Sequence, residues 1–340
     1  MNRIMRRSIA PGGAMLGCLL ISLVGSQGQT QNSGTANPPT GRSVAVTVDD
    51  LPGAAPGTDH EIGNLRDLQR VNRAIPGILR AHGVPAIGFV NEWKVQISGE
   101  RDARVALLQM WIDATMDLGN HTYTHPDFNK VTLAQYEDET IRGEVVTRAL
   151  LAAAGRQERY FRHPFLNTGP TLEAKAAFES FLAERGYRIA PVTVAVDDYE
   201  FNDILGEALD KKDKKLAEKS KAAYLDYVDV VFDFFEDASR KLFSREIPQV
   251  LLIHDNEINT QCLDALLTKL ERRGYHFVSL DQAIADPAYA TPDEFVGLTG
   301  ISWIDRWKVA LGQKPDYKNN PEPPAWVGRK FEEIRRAHAQ

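Results

Sequence analysis

Residues 44–50 are Val44-Ala-Val-Thr-Val-Asp49-Asp50, a run rich in β-branched side chains that ends in two adjacent carboxylates. Such a run is typical of a buried strand in a parallel sheet. Functional groups of α/β proteins gather at the carboxyl ends of these strands, although Asp is also common in turns and helix caps. The stretch therefore predicts an α/β fold, in which Asp49 and Asp50 are either site residues or turn residues.

Apolar, strand-like runs alternate with helical patterns along the chain. The strand-like runs cover residues 44–48, 85–90, 116–119, 160–165, 187–196, 250–254 and 276–280. The helical patterns cover residues 65–82, 103–116, 133–154, 171–185 and 261–273. Gly83, Gly186 and Gly274 directly follow three of these helices, where a left-handed residue closes a helix. This alternation predicts right-handed crossovers and a mainly parallel sheet of about seven strands.

Residues 1–29 have the pattern of a secretory signal. Three arginines precede an apolar run at 14–24, and small and polar residues follow it. The run is too short to span a bilayer comfortably, since spanning takes about 20 apolar residues. We expect cleavage, a flexible leader at 30–42, no stable membrane insertion afterwards, and a secreted or periplasmic location. An uncleaved anchor, or lipidation at Cys18, is the alternative.

The composition excludes some functional classes. The 340 residues carry a formal net charge of −6, which provides no electrostatic footprint for nucleic acid. The chain has 2 cysteines, Cys18 and Cys262, and the first lies in the predicted signal. A metal cage of thiolates is therefore excluded, and the mature chain is expected to have no intrachain disulfide.

Two segments interrupt or follow the alternation of strands and helices. Residues 202–245 form one long, strongly charged helical segment with an apolar face. It predicts either a helix packed on the outside of the fold or a lid or partner-binding arm. Residues 291–340 carry Trp303, Trp307 and Trp326 among proline, glycine and charged residues. We expect this C-terminal extension to lie over the body rather than to form a domain.

A second group of polar residues follows the third strand-like run, in the stretch Gly119-Asn-His121-Thr-Tyr-Thr-His125-Pro. Two histidines at i and i+4 lie on one side of a helical turn, so both can bind one ion. Imidazole suits zinc and the other later first-row divalent ions. Together with Asp50, they make a set of two histidines and one carboxylate. Such a set leaves positions open for water and substrate, as catalytic metal sites do.

Two further strand-like runs also end in polar residues. In the stretch Phe-Arg-His-Pro-Phe at 161–165, Arg162 can hold a carboxylate by paired hydrogen bonds. In the stretch Val-Leu-Leu-Ile-His-Asp at 250–255, His254 titrates near neutral pH and can donate a proton. As isolated residues these are weak signals, and Phe165 alone would be assigned to the core.

Five motifs together resemble the polysaccharide deacetylase (NodB-homology) family, carbohydrate esterase family four. The family pattern is Thr-Phe-Asp-Asp, His-(Ser/Thr)-x-x-His, Arg-x-Pro-(Tyr/Phe), Asp-Trp and Leu-x-His. The corresponding stretches here, in the same order, are Thr47-Val48-Asp49-Asp50, His121-Thr-Tyr-Thr-His125, Arg162-His-Pro164-Phe165, Asp198-Tyr199 and Leu252-Ile-His254. The resemblance covers residues 43–285, with an interruption at 202–245.

The sequence departs from the family pattern at two positions. Val48 replaces an aromatic residue and Tyr199 replaces tryptophan. In the fourth motif, Asp197 could take the role of Asp198 after a shift of one residue. The resemblance implies a distorted (β/α) barrel of about seven parallel strands at residues 43–290, with the long helical insertion and the C-terminal extension added to it.

The family's metal ligands and base transfer residue by residue. The resemblance implies that Asp50, His121 and His125 bind one divalent ion, with zinc as the default and cobalt or nickel as alternatives. Asp49 would take the proton from a metal-activated water. Arg162 would orient this carboxylate and keep it ionised.

The remaining roles concern the leaving group and the acetyl group. The resemblance implies that His254 protonates the leaving group and that Asp198 orients His254 or pairs with the motif arginine. A backbone N–H near Phe165 would stabilise the oxyanion, and Pro164 and Phe165 would contact the substrate. Tyr199 would form an apolar wall for the acetyl methyl group.

The implied activity is removal of acetyl groups, N-acetyl first, from an extracytoplasmic polysaccharide or oligosaccharide, so the implied partner is an acetylated glycan. One alternative is a related metal hydrolase of another non-peptide C–N bond on the same fold. The other is a sugar-binding homologue that has lost catalysis. Retention of both Asp49 and His254 argues against the second, because binding alone needs neither a base nor an acid.

Overall fold

The computed structural model describes residues 41–54, 63–315 and 317–338. The chain divides into two units, Met1–Thr35 and Ala36–Gln340, and all described residues belong to the second. The predicted signal and nearly all of the predicted leader lie outside the described residues. None of the described helices is long and apolar enough to cross a membrane.

Strands and helices alternate through the part of the chain that the structure describes. The strands are β1 Ser43–Leu51, β2 Ile87–Val90, β3 Asp117–Asn120, β4 Tyr160–Phe161, β5 Arg188–Ile189, β6 Val194–Ala195, β7 Gln249–His254 and β8 His276–Phe277. The α-helices are α1 Leu65–Ala81, α2 Arg101–Asp113, α3 Leu133–Arg142, α4 Val145–Ala153, α5 Leu172–Glu184, α6 Asp198–Asp210, α7 Lys214–Phe243, α8 Glu257–Arg272, α9 Leu280–Ile284, α10 Trp303–Ala310 and α11 Ala325–His338. The alternation predicted from the sequence is confirmed.

The strands form one parallel sheet in the order β5-β4-β3-β2-β1-β7-β6. All nine residues of β1 are buried, as expected for a central strand between two parallel neighbours. The short strand β8 lies off this path and pairs with the first residues of β1, Ser43 with His276. The predicted distorted (β/α) barrel of seven parallel strands is therefore confirmed.

One predicted strand is two strands in the structure. The run 187–196 was expected to be continuous, but β5 pairs with β4 and β6 pairs with β7, at opposite ends of the strand order. Pro191 lies between them and has no N–H to donate to a sheet ladder. The intervening residues 190–193 cross the seam of the barrel, which is the interval between β5 and β6.

The C-terminal extension docks on this seam. The Trp303 N–H donates to the Val192 carbonyl at 2.8 Å, and Ser302 Oγ donates to the Thr193 carbonyl at 2.7 Å. The Trp303 side chain is buried. The extension therefore lies over the body, as the sequence predicts, and it covers the place where the sheet has two edges.

Helix α7 is part of the hydrophobic core. It packs on α6, α8 and β6, and its buried face includes Tyr224, Val228 and Phe232. The single helical segment predicted at 202–245 is divided at residues 211–213, and α6 begins upstream of it. The segment is thus a packed wall of the body rather than a lid or an arm.

The long helix predicted at 133–154 is broken at Gly143, and the break serves the loop that carries the two motif histidines. A Cβ at Gly143 would lie 2.7 Å from the carbonyl carbon of Thr122, so only glycine allows this close approach. The Glu139 carboxylate accepts hydrogen bonds from the Thr124 N–H at 2.6 Å and from Thr124 Oγ1 at 2.8 Å. The end of α3 therefore fixes the histidine loop against the barrel.

Candidate active site

Asp50, His121 and His125 converge at the carboxyl end of the barrel. The two Nε2 atoms lie 3.7 and 3.6 Å from Asp50 Oδ1, and the three ligand atoms all lie within 4.8 Å of one another. These separations are too long for hydrogen bonds. Two ligands bound tetrahedrally to one ion at about 2.1 Å would lie roughly 3.4 Å apart. All three side chains are buried, and Asp50 Oδ1 accepts no hydrogen bond from the described residues, so the set fits a divalent ion.

The hydrogen bond of His121 fixes which nitrogen faces the other two ligands. Its Nδ1 lies 2.8 Å from the backbone carbonyl oxygen of Arg162. A carbonyl only accepts, so Nδ1 carries the proton and Nε2 offers its lone pair, as in metal-binding histidines. Burial, reinforced by the charge of His125, lowers the pKa of His121 well below its usual value. His121 is therefore a neutral ligand.

The loop at 121–125 is not the helical turn that the histidine spacing predicts. Thr122 and His125 have φ angles of 65° and 64°, in the left-handed region. The His125 N–H donates to Thr122 Oγ1 at 3.1 Å, and Asn91 Nδ2 donates to the His121 carbonyl at 2.6 Å. A tight loop held by these bonds, rather than one face of a helix, directs both rings to Asp50.

Lys94 is a buried cation beside the ligand set that was not predicted from the sequence. Its Nζ donates to the Asp50 carbonyl at 2.9 Å and lies 3.8 Å from Asp50 Oδ1. Burial alone would raise the pKa of Asp50, but Lys94 and the nearby histidines lower it below its usual value. Lys94 also fixes the Asp50 backbone, which has a φ of 73°. No motif in the stretch Glu-Trp-Lys-Val at 92–95 indicates this role.

Asp49 lies beside the ligand set and is oriented by Arg162. Arg162 Nη1 is 3.4 Å from Asp49 Oδ2, while Arg162 Nη2 donates to Thr47 Oγ1 at 2.9 Å. The resemblance implies that Arg162 keeps this carboxyl ionised. Burial instead raises the pKa of Asp49 to about 6, and the arginine charge offsets only part of that effect. Asp49 is ionised at neutral pH and protonated under mildly acidic conditions.

Asp198, and not Asp197, fills the fourth motif. Asp198 Oδ1 lies 2.6 Å from His254 Nδ1, and its Oδ2 accepts from the His254 N–H at 2.8 Å. Asp197 instead accepts a hydrogen bond from the Tyr227 hydroxyl at 2.9 Å. Burial lowers the pKa of His254, but the Asp198 carboxylate outweighs it and raises the pKa to about 10. Asp198 therefore orients His254 and keeps it protonated, rather than pairing with Arg162.

Three residues were predicted to contact the substrate, and the structure separates them. Phe165 is 43% exposed, and its ring centroid lies 4.6 Å from that of His125. Tyr199 is exposed, and its ring stands edge-on to His254 at 6.2 Å. Pro164 is buried and is not among the described residues that line the cavity, so its contact with substrate stays a prediction. It lies directly before Phe165, whose φ is 55°.

These side chains open into one cavity of about 620 Å³. Its lining contains the two adjacent aspartates, both motif histidines and His254. One wall comes from the third-motif loop, including Phe165 and Leu166. The other walls come from α6, α7 and the C-terminal extension, including Tyr227 and Ile301. Contributions from α7 and the extension were not predicted from the sequence.

Comparison with known proteins supports the resemblance that the motifs indicate. Residues 36–179 match the family model for polysaccharide deacetylase. This range contains the first three motifs, with both aspartates, the two motif histidines and Arg162. This part of the chain is therefore similar to polysaccharide deacetylases, and the resemblance predicted from the sequence is confirmed. A search of curated proteins finds no match.

Solved structures of carbohydrate esterase family four proteins also match. BA3943 from Bacillus anthracis, described as a CE4 family pseudoenzyme, is 19% identical over 72% of this chain and 67% of its own, with a TM-score of 0.46. A family 4 carbohydrate esterase from Streptomyces lividans in complex with acetate is 20% identical over 71% and 95%, with a TM-score of 0.43. Peptidoglycan deacetylase PdaC from Bacillus subtilis is 16% identical over 74% and 95%, with a TM-score of 0.45. The chain spans 65% of a BA3943 mutant described as having restored enzymatic activity.

Proposed function

We propose that this protein is a metal-dependent hydrolase that removes acetyl groups, N-acetyl first, from an extracytoplasmic polysaccharide or oligosaccharide. The observation that supports it most directly is the register of β1 and β7, which pairs Asp49 with His254. A base and an acid thus stand side by side next to the three-ligand set. The family match at 36–179 supports the substrate class. The secreted or periplasmic location rests on the signal pattern at 1–29.

The residues of the site divide the hydrolysis between them. A divalent ion held by the three ligands, zinc by default, supplies a Lewis acid for the carbonyl oxygen and lowers the pKa of water. Asp49, ionised at neutral pH, takes the proton from the attacking water while Arg162 fixes its orientation. His254 is protonated and donates to the departing nitrogen or oxygen, and Asp198 holds its ring in place. Phe165 screens one side of the ligand set from solvent.

Two alternative functions use the same scaffold. A sugar-binding homologue without catalysis has no need of a buried carboxylate beside a protonated histidine, so the placement of Asp49 and His254 supports an active enzyme. A hydrolase of another non-peptide C–N bond would use the same ligands, base and acid. Only the products distinguish this second alternative from a deacetylase.

The test is a screen of product release with zinc-loaded protein. Acetylated glycans, both N-acetylated and O-acetylated, are compared with cyclic amides, and released acetate is quantified beside the new amine or hydroxyl. We expect acetate from a glycan, loss of turnover after chelation, and recovery with zinc or cobalt. Release of a ring-opened product without acetate would support the other hydrolase, and full activity of a protein shown to be metal-free would refute the mechanism.

A further inference from the structure

Part of the lining of the cavity is apolar. Six of the lining side chains, which we call the inner chamber, carry no polar group: Leu166, Ala195, Val231, Phe235, Leu252 and Ile301. Val231, Phe235, Leu252 and Ile301 are buried, with Val231 only 1% exposed, while Leu166 and Ala195 are half-buried. Phe165 and Leu298, which also line the cavity, are 43% and 90% exposed. The cavity thus has exposed apolar side chains and a more buried apolar set.

Strand register places two residues of the inner chamber, Leu252 and Ala195, one layer of side chains below His254. Leu252 precedes His254 by two residues on β7, so both side chains lie on one face of the sheet, roughly 6.6 Å apart along the strand. Ala195 of β6 pairs with Leu252 and extends the same layer. Asp49 pairs with His254, two residues closer to the carboxyl ends of the strands. A group attached to the reacting carbonyl can therefore extend from the layer of His254 into the layer of Leu252.

The rest of the chamber comes from elements that close the seam. Val231 and Phe235 belong to α7, which packs on β6 at the edge of the sheet. Ile301 directly precedes the residues of the extension that hydrogen-bond to the seam. None of these three residues lies in the range that matches the family model. This half of the chamber therefore comes from the insertion and the extension.

The chemistry of the chamber selects its occupant. Its six side chains have no hydrogen-bonding group, whereas every hydroxyl of a sugar loses hydrogen bonds to water when it is buried. Hydrocarbon gains from the same burial. We propose, on the basis of the proposed hydrolysis, that the chamber holds the acyl chain of the bond that is cleaved. Straight acyl groups such as butanoyl and hexanoyl are then substrates at least as good as acetyl, while the sugar stays at the mouth.

The reaction with such a substrate is an ordinary hydrolysis. The oxygen of water bonds to the acyl carbon, and the bond from that carbon to nitrogen breaks. The proton lost by the water goes to Asp49, and the nitrogen takes a proton from His254. The products are a carboxylic acid of the same chain length and a free amine.

The experiment uses zinc-loaded full chain and a series of N-acyl glucosamines with acetyl, butanoyl and hexanoyl groups. The free amine is measured, so one readout serves all members. We expect kcat/KM to rise by up to about fourfold per added methylene, the gain from burying one CH₂. A hexanoyl substrate that is cleaved more slowly than acetyl overturns the chamber proposal and leaves the deacetylase intact. Absence of amine from every member overturns both.

Variants on one helix provide a matched comparison. Val231→Phe places a larger side chain in the chamber, so less room remains for a long acyl chain. The hexanoyl-to-acetyl ratio of kcat/KM should fall by about tenfold, the lower end of what a hydrophobic pocket gains from accommodating one methylene. Val230→Phe makes the same change at a 53% exposed position of α7 and should leave the ratio unchanged. If Val231→Phe does not fold, Phe235→Leu should raise the ratio for longer chains. Equal ratios in wild type, Phe235→Leu and Val230→Phe contradict the proposal.

Discussion

The barrel strands and the C-terminal half of the chain contribute to the same cavity in different ways. Strand ends up to residue 165, joined by His254, supply the proposed ligands, base and acid and the arginine, and these side chains are held by short hydrogen bonds. Helices α6 and α7 and the extension supply walls in which apolar side chains such as Val231, Phe235 and Ile301 stand beside polar ones. The difference shows that the chemistry depends on a few polar contacts at strand ends, whereas the shape of the cavity depends on how later segments pack. Substitutions in the two regions should therefore affect different quantities.

The largest effect is expected at Asp50. Asp50→Ala removes a ligand and leaves Lys94 without its carboxylate, so zinc should fall from about one ion per chain to nearly none. Activity should fall by roughly 10³-fold or more, since several kcal/mol of charge stabilisation are lost. Metal analysis and acetate release on the same sample check this. Retention of the ion with lost activity would show that Asp50 is not a ligand.

Asp49 should separate chemistry from metal binding. Asp49→Asn is nearly isosteric and leaves the three ligands in place, so the ion should be retained. Activity should fall by roughly 10²-fold or more, the usual scale for loss of a positioned base. The comparison with Asp50→Ala is the control, because both variants remove one charge from adjacent positions. An empty metal site in Asp49→Asn would reverse the two assignments.

His254 should show a defect that depends on the leaving group. His254→Ala should retain the ion and reduce turnover of amide substrates by about 10²-fold. The defect should shrink for esters with good leaving groups, because they need less help from an acid. The measurement is kcat for an amide and an activated ester of the same acyl group. If the amide rate is unchanged, the acid lies elsewhere, and His163, which also lines the cavity, is the next candidate.

The polar layer was predictable because its residues stand at the ends of recognisable strands. The runs at 44–48, 116–119 and 250–254 were identified from apolar composition, and the strands there end at Leu51, Asn120 and His254. Parallel strands bring their carboxyl ends to one edge, so chain order and strand ends suffice to predict a common site. The choice between Asp197 and Asp198 was not predictable, because it depends on where α6 begins relative to β7.

The walls were not predictable because the same apolar pattern fits many neighbours. Val231 and Phe235 lie on the apolar face of α7 and could equally have packed on another helix. The split of the run at 187–196 depends on which strands β5 and β6 pair with, and this is a long-range property. Lys94 is buried where its ammonium group donates to the Asp50 carbonyl, and Asp50 is distant from it in the sequence. Long-range contacts of this kind leave no local sequence pattern.

Substitution of Arg306 tests whether the extension supports the third-motif loop. Arg306 is buried, donates to the Leu166 carbonyl, and reaches Thr168 Oγ1 at 3.0 Å and Asp293 Oδ2 at 3.1 Å. Arg306→Ala removes the buried donor of the Leu166 carbonyl and leaves Lys175 as the remaining cation beside Asp293, so the free energy of unfolding should fall by about 3 kcal/mol.

The same substitution should lower activity without removing the ion, because no metal ligand contacts Arg306. We expect a drop of about tenfold in kcat/KM, the cost of displacing a positioning loop by a fraction of an ångström. Arg329→Ala, at an exposed position of α11, is the matched control and should change the free energy of unfolding by less than about 0.5 kcal/mol. Loss of stability with unchanged kcat/KM would show that Arg306 is structural only.

The smallest effect concerns Glu200, in the first turn of α6. Burial, reinforced by nearby carboxylates, raises the pKa of Glu200 to about 7. The carboxylates are those of Asp197, Asp203, Glu322 and Glu332. In the unfolded chain a glutamate loses its proton near pH 4.3. Between these values the folded chain holds a proton that the unfolded chain has released, so stability falls as pH rises through this window and is constant above it.

Glu200→Gln should therefore stabilise the protein at pH 8 by roughly 1–2 kcal/mol, after a discount for screening by solvent, and change little at pH 5. Thermal unfolding at both pH values checks this, with Glu333→Gln on the exposed side of α11 as the control. An equal effect of Glu200→Gln at the two pH values would show that the pKa of Glu200 is not raised in the folded protein.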